Sequence, residues 1–148
     1  IENQMLLECV DKNDLINKLT NTNYHLIISL DGNYMANKDV VYDFLNQLSI
    51  SEGINEEKSI YYKDNANGIL WEGGGKDVEQ YFRLDSHDLL IRNVFDELTA
   101  TYINEIIIDN MQYKKVANGI NVIVYDTVTQ NIVDSFGLNA DDAYSVVR

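Results

Sequence analysis

The sequence predicts an α+β domain in which antiparallel sheets, built from hairpins, are flanked by two or three helices. Two observations carry this reading. The helical pattern lies early in the chain, where Val40, Val41, Phe44, Leu45 and Leu48 fall at i, i+1, i+4, i+5 and i+8 and share one face. Beyond Gly53 the pattern changes to short apolar runs separated by Asp, Asn and Gly, the mark of strands joined by turns. Early helices followed by a run of strands is an α+β order.

Taken in order, residues 5–19 read as helix in two pieces, the second capped by Asp11 and burying Leu15, Ile16 and Leu19 on one face. Residues 24–30 are almost continuously apolar, which predicts a strand buried on both faces. Asp31-Gly32-Asn33 is a turn, and Asn37 caps the amphipathic helix. Residues 59–63 and 69–71 flank Asp64-Asn65-Ala66-Asn67-Gly68, a hairpin signal. Gly73-Gly74-Gly75 is a loop, and residues 78–84 and 89–92 are further strands. Residues 105–109 and 112–116 pair around Asp109-Asn110, where Asn tolerates the left-handed conformation that the turn needs.

The last hairpin is the most informative stretch. Residues 117–139 read A-N-G-I-N-V-I-V-Y-D-T-V-T-Q-N-I-V-D-S-F-G-L-N. Residues 120–125 and 132–136 form its two strands around a polar turn, with Val122 and Val124 on one face and Ile123 and Tyr125 on the other. Gly119 is expected where a Cβ would be hindered.

This stretch resembles the pattern R-G-[IL]-N-[IV]-V-V-Y-D, turn, G-[EK]-[VI]-[IV]-D-S, F-D, which closes the interleukin-like EMT inducer (ILEI) domain. Asn23-Tyr24-His25-Leu26-Ile27-Ile28-Ser29 is similar to that family's N-Y-x-[IV]-F-[IV]-S strand, and Val41 to Leu45 and the 61–71 hairpin fall in matching order. The resemblance implies an ILEI-like fold over residues 1–148 as a single domain from a larger bacterial envelope protein. Such domains occur in secreted cytokine-like proteins, in the stem of a protein-O-mannose N-acetylglucosaminyltransferase, and as tails on envelope phosphoglycerol transferase or sulfatase-like enzymes. They carry no known catalytic constellation. The animal proteins have disulfides, whereas this chain has the single cysteine Cys9 and resembles the bacterial form.

Charge and composition narrow the partners. Eleven Lys and Arg against 24 Asp and Glu give a net charge of −13 across 148 residues. Such a chain repels polyanions, which argues against nucleic acid and anionic membrane surfaces. No apolar run reaches the length of a membrane span, so no direct insertion is expected.

The chemistry-bearing residues do not fall into a motif. Cys9 has no basic partner nearby in sequence, and a lone Cys is more often a small core residue. His25 lies in a buried strand and His87 in a turn, with neither triad nor zinc spacing. Gly73-Gly74-Gly75-Lys76 lacks the phosphate-loop spacing and has Asp77 where that motif needs Ser or Thr. Asp64, Asn65, Asn67 and Gly68 offer oxygens but not the EF-hand register, and Asp and Asn are ordinary turn residues. No catalytic residue, metal or cofactor is therefore expected.

Aromatics give the binding expectation. Trp71 ends one strand of the central hairpin and Tyr61 and Tyr62 lie on the other, where alternation sends one tyrosine inward and leaves the other exposed. A ring beside Asp64, Asn65 and Asn67 would hold a sugar, the ring taking its C–H face and the polar groups its hydroxyls. Against this stands a purely structural Trp71 plugging the core. The leading expectation is a non-catalytic extracellular or cell-surface domain that binds an oligosaccharide or cell-wall glycan. The alternative is a docking domain for a protein or for other domains of the parent protein.

Overall fold

The computed structural model describes residues 12–50 and 58–148. The Asp11 cap, Cys9 and the first helical piece lie outside them. The described chain forms three layers: helices, a six-stranded sheet, and a four-stranded sheet. Both sheets are antiparallel throughout. The α+β class and its hairpins are thus as the sequence predicts.

Two helices cover one side. Helix α1 (Lys12–Lys18) buries Leu15 and Ile16. Helix α2 (Lys38–Gln47) starts at Asn37, whose side chain accepts from the Asp39 N–H at 3.2 Å, and buries Val41, Phe44 and Leu45. Its far end is fastened by Lys63, whose Nζ donates to the Leu48 carbonyl. That ammonium is buried, and desolvation holds its pKa below the ordinary lysine value.

The central sheet runs β10 (Ser145–Val147), β9 (Asn131–Asn139), β8 (Gly119–Asp126), β1 (Tyr24–Asp31), β2 (Ile60–Asp64), β3 (Gly68–Gly73). Strand β1 lies between β8 and β2, which explains its continuous apolar run: Leu26, Ile28 and Leu30 face the helices, while Ile27 faces the second sheet. Strand β8 repeats the arrangement. Val122 and Val124 join the helix-side core and Ile123 and Tyr125 the inter-sheet core, as expected from alternation. Gly119 has φ +140°, and a Cβ there would collide with the Leu138 carbonyl oxygen, so the requirement for glycine holds on both counts.

The second sheet runs β4 (Val78–Leu84), β5 (His87–Asp96), β6 (Thr101–Ile108), β7 (Met111–Gln112). The β5–β6 hairpin is longer than the sequence predicts, because its turn has neither Gly nor Pro and Ala100 itself takes φ 55°. At the next turn Asp109 and Asn110 both adopt positive φ, as expected for Asn110. The expected strand over 112–116 shortens to Met111–Gln112. Instead, Asn121 holds the chain that follows: its Oδ1 accepts from the Lys115 and Val116 amides at 2.8 and 3.0 Å, and its Nδ2 donates to the Val116 carbonyl at 2.9 Å.

Candidate functional site

The residues expected to form a sugar site are not gathered into one. Tyr61 is 0% exposed and faces the helix-side core; Tyr62 is 3% exposed and faces the inter-sheet core. One was expected to be exposed, but β2 is covered on both sides, so alternation merely assigns the two rings to different cores. Trp71, paired with Tyr62 across the hairpin, is half-buried against the inter-sheet core and covers Gly73.

The polar members of that set serve the turn. Asp64 accepts from the Ala66 amide at 2.9 Å and from Asn67 Nδ2 at 2.7 Å. Burial raises its pKa, but those hydrogen bonds and nearby His25 outweigh it and hold the carboxyl below the usual range. Asn65 Nδ2 reaches back to the Leu19 and Asn21 carbonyls at 2.6 and 2.8 Å, tying the hairpin to the end of α1.

The structure gathers chemistry instead along the seam between the sheets. At one end Asn104 donates to the Leu30 carbonyl at 3.1 Å and accepts from Asn93 Nδ2 at 2.5 Å. Asn93 Oδ1 in turn accepts from the Lys76 amide at 3.0 Å. Ser59 completes this knot, and Gly74 packs so closely on Ser59 that a Cβ would not fit. The triple-glycine loop thus allows a close approach within the fold. The middle of the seam is apolar, with Ile27, Ile60, Ile91, Ile106 and Ile123.

At the other end stand both histidines. His25 Nδ1 lies 2.9 Å from the Tyr62 hydroxyl, and its Nε2 is 3.5 Å from Asp64. Tyr125 packs edge-on against both imidazoles, and its hydroxyl donates to Asp85 and to the Leu84 carbonyl. Burial, reinforced by Asp64 and Asp85, pushes Tyr62 up to about 12. Burial, then the bond to Asp85, also raises Tyr125. Both phenols are therefore held neutral, Tyr125 as a donor. His87 bridges Asp109 and Gln130. Every one of these contacts links strands or turns. Among the described residues no group of three or more His, Cys, Asp and Glu side chains is placed to hold a metal ion.

A further polar knot lies beside the last hairpin. The buried Asp31 carboxylate accepts from Ser29 Oγ at 2.8 Å and from Asn121 Nδ2 at 2.7 Å, with Lys114 Nζ at 3.6 Å. Burial outweighs these partners and raises its pKa. The segment that Asn121 holds lines a shallow depression of about 430 Å³, formed by Gln112, Lys114, Lys115, Val116 and Ala117.

The surface feature that sequence reasoning missed is the outer face of the four-stranded sheet. Register places Tyr81, Leu90 and Ile107 in one cross-strand row and Val94 with Ile103 in another. Between them runs a row of Glu79, Arg92 and Glu105, with Arg92 Nε 2.9 Å from Glu105 and its Nη1 4.0 Å from Glu79. Tyr81 is 69% exposed, the four aliphatic residues are partly exposed, and none belongs to either core. The signal was present in the sequence. Residues 89–94 and 103–108 put apolar residues on both strand faces, as buried strands do, although among the described residues only one face has a covering layer.

The chain matches no protein-family model, no curated protein and no solved structure. Among the described residues no helix is long and apolar enough to cross a membrane.

Proposed function

We propose that this chain is a non-catalytic docking domain whose working surface is the outer face of the four-stranded sheet. The carrying observation is that face itself: two apolar rows, Tyr81–Leu90–Ile107 and Val94–Ile103, on a sheet whose other side is already packed. Apolar rows flanking a charged row on a sheet face are the kind of surface that supports an interaction site. Its occupant is another protein or domain that offers two apolar strips with a basic group between them. Two acidic residues share one arginine in the middle row, and the chain as a whole carries −13. The same charge disfavours a second copy of this chain. The ILEI resemblance supports the wider setting, an extracytoplasmic accessory domain of a bacterial envelope protein.

Glycan binding is the second reading, favoured by the half-exposed ring of Trp71 at the edge strand β3. One NMR titration separates the two. A designed amphipathic Leu/Lys helical peptide is titrated into the labelled domain, beside a neutral cell-wall oligosaccharide. The docking reading expects peptide-induced shifts at Leu90, Val94, Ile103 and Ile107, absent with a sequence-scrambled peptide. Sugar-induced shifts centred on Trp71, with an unresponsive sheet face, would replace it with glycan binding. Self-association through the face would replace it with a homodimer.

A further inference from the structure

His87 opens β5 at the end of the seam where the two sheets meet, and its ring faces two acceptors. Nδ1 lies 2.5 Å from Asp109 Oδ2, and Nε2 lies 2.9 Å from the Gln130 backbone carbonyl oxygen. An ionised carboxylate and a carbonyl have no proton to give, and a neutral imidazole carries only one N–H. Both contacts are hydrogen bonds at once only when the ring is the imidazolium.

The two acceptors belong to different sheets. Asp109 is anchored to the four-stranded sheet, since its Oδ1 accepts from the Asp88 amide at 2.9 Å and its own N–H donates to the Asp88 carbonyl at 3.0 Å. Gln130 belongs to the β8–β9 turn of the six-stranded sheet, where it has φ 58° and donates to the Asp126 carbonyl at 2.8 Å.

We propose that protonated His87 is a clip between the two sheets, which fastens the β8–β9 turn at lower pH and lets it go as the ring loses its proton. In the neutral ring the remaining N–H stays with the charged Asp109. The bare Nε2 lone pair then faces the Gln130 oxygen, and that contact turns from attractive to repulsive.

The surroundings favour the cation. Asp85, Asp88 and Asp109 stand on the β4–β5 and β6–β7 side, with Arg83 already paired to Asp88 at 2.5 Å. From β8 come Asp126 and the neutral phenol of Tyr125, whose ring packs against His87 at 6.0 Å. The hydrogen bond to Asp109 is the largest influence raising the His87 pKa above 6.5, and the Gln130 carbonyl and Asp85 add to it against the opposing effect of burial. A group whose pKa is raised by folding gives its full stabilisation below the unfolded value, here about 6.5, and loses it as pH rises through the folded value. The clip is therefore closed below about pH 6.5 and opens as pH rises through the raised folded value.

The chain has only two histidines, so the test is spectroscopically simple. Imidazole ¹⁵N NMR is followed through pH, with His25→Gln to assign the signals. Amide exchange at 127–131 is followed in parallel and corrected for intrinsic rates. His87 is expected to hold both ring protons to a pKa above 6.5, and Asp109→Asn is expected to lower that pKa. Above it, the opening equilibrium of the turn rises about tenfold for each unit by which the measured pKa exceeds 6.5. In His87→Gln the turn loses this pH dependence. A single neutral tautomer at pH 6, or turn exchange that ignores the His87 titration, overturns the proposal.

Discussion

The two sheets are built from similar residues and put to different use. The six-stranded sheet is covered on both faces, by helices on one side and by the second sheet on the other. All eight residues of β8 and all five of β2 are buried. Among the described residues the four-stranded sheet is covered on one face only, yet it carries Leu90, Val94, Ile103 and Ile107 on the other. An apolar residue on a doubly covered strand needs no explanation beyond packing. The same residue on a partly exposed face costs solubility and returns less to the fold, so a function is the natural account of several in two rows.

The comparison breaks most visibly in the central sheet. Phe136→Ala empties a fully buried position between β9 and the helices and is expected to destabilise the domain by about 3–5 kcal/mol, measured by urea denaturation. A loss under about 1 kcal/mol would mean that the helix layer is not packed as described. Gly119→Ala is the next largest effect. The added Cβ meets the Leu138 carbonyl at a backbone φ that L-residues rarely adopt, so about 2 kcal/mol or more is expected, with the midpoint lowered and the denaturant slope unchanged. A neutral outcome would show that the β8–β9 pairing relaxes at its open end.

Much of the central sheet was legible in the sequence, because its constraint is local. A strand flanked on both sides and covered on both faces is apolar at most positions, and 24–30 and 120–125 show that directly. The Asn37 cap and the Gly119 requirement are likewise written in single residues. What was not legible depends on the layer count. Reading the 61–71 hairpin as covered on one side predicts one exposed tyrosine, whereas a second sheet over β2 buries both Tyr61 and Tyr62. The polar ties were hidden for a related reason. Asn93, Asn104 and Asn121 interrupt apolar strands at inward positions, a pattern that signals buried hydrogen bonding, but their partners lie far away in sequence. His25 and His87, 62 positions apart in the numbering, come to the same end of the seam because each packs on Tyr125.

Ile106 and Ile107 are neighbours in β6 that point to opposite faces, one into the seam and one outward. Measuring both Ile106→Ala and Ile107→Ser for stability and for binding of the amphipathic Leu/Lys peptide tests the division of labour most directly. The account predicts that Ile106→Ala costs about 2–5 kcal/mol, while peptide affinity in the folded fraction is retained. Ile107→Ser is predicted to change stability by no more than about 1 kcal/mol and to weaken the peptide at least about tenfold, or about 1.4 kcal/mol. If Ile107→Ser is as destabilising as its neighbour, or binds the peptide unchanged, the outer face is not the docking surface.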